Sequence, residues 1–316
     1  MNFSDISYNF GIAKVVSILM VATGHYFGGI LWIPVTVGLF IFAFSSAYFT
    51  ASKNGHEFSL RQYWAAKANR LLPKLLMVNT FLLILFLILE KQNILSWQSI
   101  VAMAGMSGLL NWFNITNPSP FGAGLWFFTL LLLFYLIYPL LAFINKSKKY
   151  GLIFLSCAFT ILTFLNYTVS IGHMLWFTMF AFVFGSYAGF HHLKMPPIAM
   201  IFLLVTSLFL MVTVNHIYQY SEANYFFLLL ISFSLVAYLL NKKLTTILKH
   251  TLLLSSCVME IYFIHTYLFL HDITQNIYLN YIASLTIIII SSFVLSFLSS
   301  KTMAHLPYTT YFSTNR

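Results

Sequence analysis

The chain has 316 residues, of which 60% are hydrophobic and only 7% charged, and its formal net charge is +10. Soluble domains carry roughly a quarter of their residues as charges, so this chain cannot clothe itself in polar surface and its solvent must be lipid. Recurrent apolar runs of about 20 residues, without strand alternation, predict an all-α, polytopic transmembrane helical bundle and exclude a membrane β-barrel.

The first span is expected near 10–31; the preceding "MNFSDISYNF" lacks the basic stretch of a cleavable signal, so the span should stay in the mature chain. It contains "KVVSILMVATGH", with Lys14 and His25 eleven residues apart. At 100° per residue they fall within roughly 20° of one face, about 16 Å apart along the axis. An intramembrane charge turns toward a partner or a cavity. Alone, Lys14 reads equally as a snorkelling side chain and His25 as a buried, hydrogen-bonded imidazole; their shared face points to a polar channel through the bundle.

A second span is expected at 33–51, followed by a loop, "KNGHEFSLRQYWAAKANRLLPK" (53–74), with Lys67 and Arg70 three apart ahead of a Leu-Leu-Pro turn. Such a basic cluster serves topology and contact with lipid headgroups, or a phosphate site in which Arg supplies a fork and Lys a point charge. A third span follows at 75–89. The segment 99–113 is short and Gly-interrupted, and 114–128 is polar and rich in Pro and Gly, leading to Trp126.

The remaining spans are expected at 124–144, 151–168, 174–190, 197–215, 224–240, 251–271 and 281–299. In the ninth span of the chain, 251–271, Glu260 and His265 are five residues apart and do not share a helical face; Glu260 reads as a cavity or helix-packing residue. Cys157 and Cys257 both fall inside spans and suggest no disulfide framework.

The lysine bias fixes the expected topology. With 99–113 as a re-entrant or interfacial piece and the N-terminus cytoplasmic, fourteen basic residues fall inside, including Lys194, Lys243 and Arg316, and only Lys91 outside with Glu90, Glu222 and Asp272. Ten spans with both termini cytoplasmic result, in a single domain covering 1–316. The basic residues lie in short inner loops, a distribution that speaks against nucleic acid as partner. Scattered histidines and the absence of Cys/His spacing predict no metal site.

Five local patterns occur along the chain: Lys14 and His25 with ten residues between them, the paired-basic "KANR", the Gly38 and "FIFAFSSAY" segment with Ser46, "GLWFFTLLLLFYLIYPLL" with Trp126, Tyr135 and Pro139, and "IYFIH" with His265. Together they resemble the acyltransferase-3 family of integral-membrane acyltransferases. Where the family usually reads Ser-Gly-Phe, this chain has Ser46-Ala47-Tyr48. The resemblance implies transfer of an acyl group, usually acetyl, from cytoplasmic acyl-CoA (acetyl-CoA) to a hydroxyl of a cell-surface or lipid-linked glycan, in a bacterial inner or plasma membrane. On that reading Lys14, Lys67 and Arg70 hold the donor phosphates. His25 acts with Lys14 at the thioester, as general base or as acylated nucleophile. Ser46, Trp126, Tyr135, Glu260 and His265 are candidate substrate contacts. A secondary transporter or flippase for a glycan precursor or small acid is the competing expectation, since transporters also place charges and broken helices within the membrane.

Overall fold

The computed structural model describes residues 3–54, 58–123, 125–169, 174–193, 197–218, 224–242, 244 and 246–304. Lys194, Lys243, Glu222 and Arg316, used above to orient the chain, lie outside the described residues. The helices, in chain order, are α1 (Phe3–Phe27), α2 (Trp32–Asn54), α3 (Leu60–Ile88), α4 (Trp97–Met103), α5 (Ser107–Trp112), α6 (Trp126–Ile144), α7 (Lys148–Thr168), α8 (Leu175–His191), α9 (Pro197–Tyr218), α10 (Asn224–Asn241), α11 (Val258–Ile264) and α12 (Ile277–Ala304), with 3-10 segments at Gly29–Leu31, Thr246–Ser256 and His265–Tyr267. Among the described residues eight of these helices, α1, α2, α3, α6, α7, α9, α10 and α12, are long and apolar enough to cross a membrane. The shorter α8 has 17 residues and is buried along nearly its whole length.

Three expectations need correction. The stretch 53–74 is not one loop: Ser59 caps α3 by accepting from the Gln62 amide, and helix runs from Leu60 onward. Ala, Leu, Lys and Arg are strong helix formers, and the charges that lower the hydropathy here do not oppose helix. Nor does Leu-Leu-Pro make a turn, because Pro73 lies inside α3, a position that membrane helices tolerate. The run 251–271 is not a continuous helical span; a 3-10 segment, α11 and a second 3-10 turn divide it. At that break the Ser256 carbonyl accepts both the Lys74 ammonium and the Ser296 hydroxyl, each at 3.1 Å. The interrupted 99–113 forms two short helices, α4 and α5, parted at Gly105, whose φ is +79°.

The chain packs as two compact units interleaved in sequence: residues 1–58 with 130–255, and residues 59–129 with 256–316. In the first unit Gly28 and Gly29, at φ +69° and +62°, turn α1 back onto α2; this left-handed conformation suits glycine. Phe10, Phe44 and Tyr48 stack along the resulting hairpin. α8 lies against α2 with Gly185 and Gly189 facing it. A Cβ at Gly185 would strike the Phe44 carbonyl oxygen, and one at Gly189 that of Tyr48, the small-residue contact by which membrane helices approach closely. Asn9 of α1 donates to the carbonyls of Leu239 and Lys242 at 2.7 Å and accepts from the Leu244 amide, tying α1 to the end of α10.

In the second unit α3, α11 and α12 pack together. Thr129 links the α4–α5 break to the start of α6, donating to the Gly105 carbonyl and accepting from the Gly108 amide. Asn280 of α12 closes the loop before it, accepting from the Thr274 amide and donating to the His271 and Thr274 carbonyls. Large apolar side chains face outward on α9, among them Ile198, Phe202, Val205 and Phe209. Such a surface is untenable in water and fits hydrocarbon.

Candidate functional site

α1 places Phe3, Ser7, Gly11 and Lys14 about one turn apart in succession on one stripe. With Phe49 and Lys53 of α2 and Ser255 they line a cavity of about 380 Å³ in the first unit. The hairpin makes this possible: its turn at Gly28–Gly29 sets the end of α2 antiparallel beside the start of α1. Lys14 is half-buried, and its ammonium lies 5.5 Å from the centre of the Phe49 ring, close enough for a cation–π attraction. Lys53 is exposed at the same cavity. Two ammonium groups, two serine hydroxyls and aromatic walls suit an anionic group carried on an organic body, of which phosphate is the common biological case.

His25 sits about 16 Å further along α1 and does not line this cavity. Its ring is half-buried and meets Trp32 edge to face at 5.1 Å. Trp32 reaches it because the glycine turn brings the first residue of α2 back over the last turn of α1. Two further candidates meet in the same unit: the hydroxyls of Ser46 on α2 and Tyr135 on α6 are 3.1 Å apart, with Tyr135 buried and Ser46 half-buried.

The remaining candidates belong to the second unit. On α3, Lys67 is buried with its ammonium over the Tyr63 ring at 5.3 Å, while Arg70, one turn on, is exposed. Glu260 is wholly buried, and its Oε1 accepts from the Lys74 ammonium at 2.5 Å. The wholly buried His265 points Nδ1 at the carbonyls of Tyr262 (2.8 Å) and Ile261 (3.2 Å). Both partners can only accept, so Nδ1 carries the proton and, in the neutral ring, Nε2 carries the lone pair. Trp126 is buried against Phe127. Among the described residues no three His, Cys, Asp or Glu side chains gather into a metal-ligating group.

Two residues in these arrangements were not singled out from sequence. Lys53 counted only toward orientation, although folding the chain about Gly28–Gly29 sets it beside the first turns of α1. Lys74 counted the same way, although a carboxylate buried in a membrane span calls for a countercharge, and its partner is 186 positions away.

Lipid-facing helices around buried polar groups define an integral, multi-pass membrane protein with a lysine-lined cavity. A family model, the acyltransferase domain of the acyltransferase-3 family, matches residues 7–301, so the chain belongs to that family and is a membrane acyltransferase. No curated protein and no solved structure matches it.

Proposed function

We propose that the protein is an acyl-CoA-dependent O-acyltransferase that moves an acyl group, acetyl in the simplest case, from cytoplasmic acyl-CoA to a hydroxyl of a cell-surface or lipid-linked glycan, acting in a bacterial inner or plasma membrane. One observation carries this reading: Lys14 and Lys53 share a cavity of about 380 Å³ at one end of the helix that presents His25 on the same face further in. A phosphate-bearing donor fits such a cavity by charge. An uncharged pantetheine arm extended along α1 would bring the thioester toward the imidazole. For Lys67 and Arg70, support as donor contacts comes from the family's paired-basic element alone.

In the direct route an imidazole nitrogen of His25 takes the proton from the acceptor hydroxyl as that oxygen attacks the thioester carbonyl carbon. The tetrahedral oxyanion collapses, the C–S bond breaks, and the CoA thiolate recovers the proton from the imidazolium, leaving an ester and free CoA. In the covalent route the imidazole nitrogen attacks the thioester carbonyl carbon, the C–S bond breaks and CoA leaves as the thiolate; the acceptor oxygen then attacks the acyl-imidazole, the C–N bond breaks, and the hydroxyl proton goes to the thiolate, leaving the ester, free CoA and the imidazole restored. Imidazole suits both routes because it is a base near neutral pH and a competent nucleophile. The Trp32 edge restricts how the ring can turn.

The test is acyl-CoA consumption by purified protein with and without the His25→Ala change. General acid–base assistance contributes roughly 10²–10⁴-fold, so transfer should fall by at least that much while the protein remains membrane-inserted. Full activity of the variant would remove both routes. A radiolabelled acyl group retained on the wild-type chain in the absence of acceptor would select the covalent one.

A further inference from the structure

The second unit contains a groove none of whose residues was given a donor or catalytic role above. Its volume is about 670 Å³, and Leu83 and Leu87 of α3 line it with Lys91, Ile94, Leu95 and Ser96 of the connection to α4. The apolar run of α3 ends at Leu89 and is followed by Glu90, Lys91, Gln92 and Asn93. Charged and amide side chains mark the boundary between hydrocarbon and water, so the groove opens at the headgroup layer. Its apolar walls are uncovered, with Leu87 60% and Leu95 92% exposed.

Lys91 is the one cation in the sequence between Lys74 and Lys146, and its neighbour Glu90 does not line the groove. Beyond Lys91 the chemistry changes again, since no charged residue or histidine occurs from Gln92 through Asn145. Ser96 leads from the groove into a hydroxyl chain, Ser96 to Ser99 at 3.0 Å and Ser99 to Ser119 at 2.7 Å. Ser119 belongs to a loop held by amide and hydroxyl bonds, in which Asn117 donates to the Phe121 carbonyl and Ser119 Oγ accepts from the Phe121 amide. Trp97 and Phe113 leave large parts of their rings exposed in this neutral segment.

An apolar wall, a single cation and a neutral polar surface with aromatic faces thus follow one another along one stretch of chain. We propose that this groove receives the acceptor in lipid-linked form: an apolar tail along Leu83, Leu87, Ile94 and Leu95, a phosphate at the Lys91 ammonium, and an uncharged sugar over the neutral segment beyond Ser96. The proposal deepens the acyltransferase reading and rests on it for the glycan nature of the acceptor.

A diazirine-bearing farnesyl phosphate, used as probe with the full chain in phosphatidylcholine nanodiscs, tests it. Photolabelling mapped by mass spectrometry should fall on residues 83–96. Lys91→Gln should lower it at least fivefold, and Leu87→Trp, which fills the groove, should do the same. Unlabelled farnesyl phosphate should compete, whereas farnesol and phosphatidylglycerol should not. Labelling elsewhere, labelling indifferent to both changes, or displacement by phosphatidylglycerol (a general anionic-lipid site) would overturn the proposal. The probe needs no acyl-CoA, so an inert donor refutes the reaction without touching the groove, and absent labelling refutes the groove without touching the reaction.

Discussion

Replacing Lys74 by methionine is expected to destabilise the protein far more than removing the whole ion pair. Glu260 has no exposed surface, and the Lys74 ammonium, 2.5 Å from Oε1, is its only charged partner among the described residues. Lys74→Met leaves that carboxylate buried with its countercharge gone. Breaking a buried pair in this way costs about 3–5 kcal/mol, whereas exchanging both members for apolar residues of similar volume is often neutral or stabilising. The double change Lys74→Met, Glu260→Met should therefore recover most of what the single change loses. At roughly 2–4 °C per kcal/mol for a chain of this order of size, the single variant should melt roughly 6–20 °C below wild type, with the double variant close to wild type. Thermal unfolding in one detergent, followed by tryptophan fluorescence, reads this directly. Equal melting of the single and double variants would refute the reasoning, because the carboxylate would then have found another way to be solvated.

Removing the charge of Lys14 should raise the donor KM roughly tenfold or more, since the side chain is half-buried at the cavity and charge-assisted bonds there are worth about 1.5–3 kcal/mol. Lys53→Gln should raise it only about two- to fivefold, as water screens an exposed ammonium; steady-state kinetics with varied acyl-CoA separate the two. Gly185→Ala should cost about 1–3 kcal/mol of stability by driving a methyl group into the Phe44 carbonyl, seen as a lower melting temperature. Ser46→Ala and Tyr135→Phe should each cost about 0.5–1.5 kcal/mol, and a double-mutant cycle should show them coupled through their 3.1 Å contact.

Apolar run length made most of the helices legible, because an unsatisfied backbone in lipid leaves helix as the main option for a single segment. It misplaced the start of α3, where a hydropathy window averages Arg61, Lys67 and Arg70 with their apolar neighbours and returns a loop. It also joined 251–271 into one span, being blind to a carbonyl at Ser256 that serves Lys74 and Ser296. The Lys14–His25 spacing needed only helical geometry. Lys53 and Lys74 escaped notice because each acquires meaning from residues far along the chain. Glu260 illustrates the difference: its burial was foreseeable from its span, its partner only from the fold.

The interleaving of the two units has a consequence for biosynthesis. α2 ends at Asn54, and α8, which carries the glycine face it needs, begins at Leu175. At roughly 5–20 residues per second of translation, the ribosome takes about 6–24 seconds to deliver it. Throughout that wait the N-terminal hairpin, Lys14 and His25 included, stands in the bilayer without its eventual neighbour. A nascent chain in this condition invites guardianship by the insertion machinery, and mutations that loosen the hairpin should show first as degraded protein and only afterwards as poor catalysts.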